Sequence, residues 1–115
     1  MRDKRLTTKN RLTHLMQAII DIEKFTNLIS EKEFLNNVIL INATLSQFTI
    51  IGEAITHIDT NILLKYNYPW YKIKGFRNFI LHEYHSIEYK TVYKAIQKDL
   101  PELKSIVEQI IELEC

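Results

Sequence analysis

The sequence is poor in the residues that turn and cross-link a chain. It holds 2 glycines, 2 prolines and 1 cysteine among 115 residues. An all-β fold needs many tight turns, and this supply of glycine and proline argues against one. Cys115, the single cysteine, has no partner for an internal disulfide, which fits a reducing, cytoplasmic setting. Charge of one sign is also lacking: 15 Lys and Arg against 14 Asp and Glu leave a formal net charge of +1. That balance excludes a strongly basic nucleic-acid-binding domain, so any RNA contact has to come from a local patch. No apolar run of signal-peptide type follows the N-terminus, and no stretch approaches the length of a membrane span. The expectation is a cytoplasmic protein with no membrane partner.

What the chain does have is apolar residues at helical spacing. Hydrophobic residues make up 46% of it, enough for the core of one domain spanning residues 1–115. Leu12, Leu15, Ile19, Ile22 and Phe25 predict a first helix over about 10–28. Ser30 and Glu33 are spaced as a capping box. A long second helix follows over about 31–65, with a break expected near Asn36-Asn37. Its stripe is Val38, Ile41, Leu45, Phe48, Ile55, Ile58 and Ile62, widened by Ile50, Ile51 and Ala54. So broad a face implies more than one neighbour, a second subunit being one option. Gly52 sits mid-helix at a cost of roughly 1 kcal/mol against alanine, which implies a close backbone approach there. Pro69 and Trp70 open a third helix, expected over about 69–85 with core residues Ile73, Phe76 and Ile80. A fourth is expected over about 87–98. Asp99 and Glu102 are spaced as a second capping box for a last helix on Leu103, Ile106, Val107 and Ile110. The fold class is all-α, an up-and-down bundle of four to five helices.

The third helix ends in "RNFILHEYH", Arg77 to His85, which gathers an arginine, two histidines, a glutamate and a tyrosine. At about 100° per residue, Arg77, Leu81 and Tyr84 share one line, and Asn78, His82 and His85 share the next. Arg77 and His82 lie roughly 140° apart around the axis. They converge only at a frayed end, through long side chains, or across a dimer. His82 and His85 are not spaced as H-E-x-x-H, and no cysteine or nearby Asp adds a third ligand, so no metal or other cofactor is expected. Arginine grips phosphate oxygens in a fork, and histidine moves protons near neutral pH. Together they suit RNA cleavage, which needs a proton taken from the 2′-OH, charge stabilised on phosphorus and a proton given to the 5′-oxygen. On residue types alone, a solvated helix face with Arg77 paired to Glu83 or another acid is the favoured reading.

Beyond the residues themselves, "RNFILHEY" resembles the R-x4-H-x-Y motif of HEPN-fold toxins of the HepT type. "IIGEA" (50–54), "YPWYKIKGFRN" (68–78) and "DLPELK" (99–104) follow that family's order. The resemblance implies a homodimeric HEPN bundle and a metal-independent endoribonuclease acting on RNA at a cleft between subunits. It implies that Arg77 holds the scissile phosphate and His82 is the acid and base, with Asn78 in support. Glu53, in the family-like segment, is a candidate acceptor for Arg77, and His85, which departs from the family pattern, is a candidate aid to proton transfer. It implies a nucleotidyltransferase of the MNT type as antitoxin, which neutralises the toxin by adding AMP to Tyr84. The alternative is a non-catalytic HEPN partner of a nucleotidyltransferase. The chain departs from the family at "HSIE" (85–88), where relatives carry a glycine after an aromatic residue. Its cations for RNA are local: Lys72, Lys74, Arg77 and the N-terminal Arg2, Lys4, Arg5, Lys9 and Arg11. His14 reads as a surface or packing residue, and His57 as a local helix partner of Glu53.

Overall fold

Leu12, Leu15, Ile19 and Ile22 share one face of helix α1 (Lys4–Thr26), and all four are fully buried. The computed structural model describes residues 4–115, with side chains from Thr7 onward. Arg2 lies outside the described residues, as do the side chains of Lys4 and Arg5. Phe25, the last member of the expected stripe, sits in the final turn and is exposed.

The long second helix is three helices: α2 (Glu31–Leu35), α3 (Val38–Thr56) and α4 (Thr60–Leu63). Polar side chains make the breaks. Ser30 and Glu33 form the expected capping box, with backbone-to-side-chain bonds of 3.1 and 3.2 Å. The Asn37 side chain accepts from Leu40 N–H at 3.0 Å and restarts the chain as α3. Asp59 accepts from Asn61 N–H at 2.9 Å and caps α4. Val38, placed in the apolar stripe from sequence, begins α3 and is exposed.

Helix α3 is the centre of the bundle, packed on α1 and on α5 (Trp70–His82). Ile41, Leu45, Phe48, Ile51 and Ile55 face inward, and Phe48 meets Phe76 of α5 edge to face at 5.1 Å. This helix corrects one expectation: by length and composition alone it is apolar enough to cross a membrane. Its apolarity serves the interior here, as the residues just named are core. Trp70 anchors the start of α5, with its indole N–H donating to the Leu63 carbonyl at 3.0 Å.

Helix α5 stops at His82, three residues short of the expected end, and a 3₁₀ turn covers Tyr84–Ser86. The second expected capping box does not form. Asp99 has helical φ and ψ of −76° and −36° and caps nothing. Instead α6 (Tyr89–Lys94) runs through a π turn (Ala95–Asp99) into α7 (Leu100–Glu114). Pro101 explains the π turn. A proline inside an α-helix lacks an N–H and crowds the carbonyl four residues earlier, and a widened turn relieves both. Val92, Leu103, Val107 and Ile110 then complete the core. Among the described residues no strand forms.

Candidate active site

The site begins with an absent side chain. A Cβ added to Gly52 would lie 2.3 Å from Cβ and 2.7 Å from Cγ of Arg77. Only glycine lets α5 cross α3 this closely, and the crossing fixes the stem of Arg77. The next residue of α3 fixes the head: Arg77 Nη2 donates to Glu53 Oε2 at 2.5 Å. Arg77 Nη1 donates to Asn78 Oδ1 at 3.0 Å. Glu53 is held from its other side by His57 Nε2, 3.0 Å from Oε1. The His57 hydrogen bond and the Arg77 cation lower the Glu53 pKa below the ordinary 4.5, so it stays a carboxylate. The buried Nε–H of Arg77 has no partner among the described residues.

Sequence reasoning placed Arg77, Asn78 and Glu53 together, and the structure does bring them together. Glu53 displaces Glu83 as the arginine's acidic partner. Asn78 does not reach His82; it serves Arg77. His82 is the last residue of α5, exposed and without a hydrogen bond among the described residues. Tyr84 donates its hydroxyl to Asn42 Oδ1 on α3, and its ring meets that of His85 edge-on at 5.8 Å. Asn42 carried no signal in the sequence, because its role depends on a contact across two helices. The "HSIE" segment closes its turn without strain, since Leu28 is the one described non-glycine residue with positive φ. This backbone demands no glycine at residues 85–88.

Arg77 also lines a groove of about 430 Å³ with Arg11, His14, Ile50, Glu53 and Leu81. Leu81, not His82, faces this groove, as the angular separation on the helix requires. Lys72 lies elsewhere, beside Lys94 and Lys98 at a second cavity of about 420 Å³. No three His, Cys, Asp or Glu side chains gather as a metal-ligand set among the described residues.

Comparison with known proteins gives a consistent family. A family model described as "Ribonuclease HepT-like" matches residues 15–110. The chain is 34% identical over 98 residues to "Putative RNase MJ1380" of Methanocaldococcus jannaschii, covering 84% of this chain and 90% of that one. It is 29% identical over 109 residues to "Putative RNase TTE0752" of Caldanaerobacter subterraneus, covering 94% and 97%. "Probable ribonuclease HepT" of Thermococcus cleftensis is 29% identical over 103 residues, covering 89% and 94%. No solved structure matches the chain. The match across most of an all-helical chain means that this protein belongs to the HepT-like ribonuclease family.

Proposed function

We propose that the protein is a metal-independent endoribonuclease that cleaves RNA with Arg77 and His82. The observation that carries this reading is the fixing of Arg77 by Gly52 and Glu53, with an unpaired His82 at the end of the same helix. Arg77 has five N–H donors. Glu53 and Asn78 take one each, and both terminal nitrogens keep another for a phosphate. The charge that builds on phosphorus during attack is stabilised there. His82 removes the proton from the 2′-OH, whose oxygen attacks the adjacent phosphorus. A second His82 protonates the departing 5′-oxygen, leaving a 2′,3′-cyclic phosphate and a 5′-OH.

Two copies of His82 require a homodimer. Ile39 is an exposed apolar residue on α3, one turn before Asn42, and it suits a face covered by a second copy. In this reading the protein is the toxin of a cytoplasmic type VII toxin–antitoxin pair. An MNT-type nucleotidyltransferase silences it by AMPylation of Tyr84, which is exposed and carries its hydroxyl beside Asn42. A second reading, a non-catalytic partner of such an enzyme, draws support from the absence of His82 from the Arg77 groove.

The test is end analysis of RNA cut by the purified protein in excess EDTA. The expected products carry cyclic phosphate and 5′-OH ends, and RNA with 2′-O-methyl groups stays intact. Cleavage that needs added divalent metal, or that leaves 5′-phosphates, contradicts the proposal.

A further inference from the structure

The family match begins at residue 15, immediately after Arg11 and His14 on α1. Those two side chains nevertheless line the groove that holds Arg77. They are three residues apart on one helix, hence neighbours on its surface. The groove lies where α1, α3 and α5 meet, and its volume of about 430 Å³ falls in the range of small-ligand sites.

Its charge is unbalanced. Arg77 is offset by Glu53 at 2.5 Å. Arg11 is half-buried and has no ion pair or hydrogen bond among the described residues. His14 likewise has no partner there. Glu53, the one acid lining the groove, is already held by both Arg77 and His57. The groove therefore presents one uncompensated cation and one imidazole, next to the arginine assigned to the scissile phosphate. Ile50 and Leu81 add exposed apolar wall for a ribose or a base.

We infer that Arg11 and His14 form a phosphate-binding subsite for the nucleotide adjacent to the scissile bond of a single-stranded RNA substrate. The inference rests on the ribonuclease reading and extends it onto α1. Arg11 takes a phosphate oxygen in its fork, and His14 donates a ring N–H to the same group. Neither touches the reacting atoms, so both are binding residues.

The test measures binding and turnover together. Binding of a fluorescent single-stranded RNA with 2′-O-methyl groups, which cannot be cut by 2′-OH attack, is followed over a salt series. Arg11→Ala is expected to weaken binding about tenfold at low salt. It should also lower the slope of log K against log salt by about 0.7, as one lost phosphate contact on a single strand does. His14→Ala should weaken binding less, and His14→Gln, which keeps a donor, should restore most of the loss. On cleavable RNA, Arg11→Ala should raise KM about tenfold with kcat within about twofold. Unfolding midpoints equal to wild type show that the variants are intact. Wild-type cleavage with an unchanged slope and KM in Arg11→Ala would overturn the subsite and leave the ribonuclease reading standing. So would a loss confined to kcat. A wild-type protein that cuts no RNA fails the ribonuclease reading itself, and the salt slope with uncut RNA still judges the subsite.

Discussion

Glu53 holds the site's electrostatics. Its carboxylate accepts from His57 and from Arg77, and both partners favour its charged form. Its folded pKa lies below 4.5, so in acid the unfolded chain takes up this proton first. Stability from Glu53 is complete above about 4.5 and is lost as pH falls through the folded value. Glu114, lowered by Lys65 and Tyr66, acts in the same window and in the same direction. Urea midpoints measured from neutral pH into acid should therefore fall less steeply in Glu53→Gln than in wild type. The remaining slope belongs in part to Glu114. An identical acid limb in the variant would mean that Glu53 is not held by His57 and Arg77 in solution.

The crossing of α3 and α5 converts a helix contact into a fixed position for Arg77. Gly52→Ala puts a methyl group 2.3 Å from Arg77 Cβ, and both atoms belong to packed helices. Overpacking of this kind costs about 1–3 kcal/mol, partly offset by alanine's better helix propensity of about 1 kcal/mol. The net loss in stability should be modest, while cleavage should drop at least tenfold because Arg77 moves with α5. Chemical denaturation beside a cleavage assay separates the two effects. This crossing was legible in the sequence as a glycine inside an apolar helix, and the capping box at Ser30 was legible as spacing. The break near Asn36-Asn37 was legible as paired asparagines. The break at Asp59 was harder, because one side chain capping one N–H decides it against a continuous apolar stripe. The π turn was misread. Asp99, Pro101 and Glu102 spell a helix start, yet Leu100 and Leu103 are buried in one continuous helix that absorbs the proline. At the site, Arg77, Asn78 and Glu53 lie within reach on the motif helix and its crossing partner. Arg11, His14 and Asn42 join only through tertiary packing, which no local pattern records.

For the whole molecule, the angle between Arg77 and His82 is the governing constraint. One subunit aims them to different sides of α5, so the proposed chemistry needs a second copy. Light scattering should give twice the 13.7 kDa chain mass. Ile39, exposed one turn before Asn42, is the side chain to change. Ile39→Asp should halve the mass and abolish cleavage while the unfolding transition remains cooperative. A fully active monomer would contradict the two-subunit cleft. The role of His82 is tested most simply by the rate of RNA cleavage in excess EDTA by wild type and by His82→Ala, purified identically. Cleavage by wild type and a loss of about 10²-fold or more in the variant are the expected result. Equal rates in the two proteins would contradict it, because His82 would then have no part in the reaction.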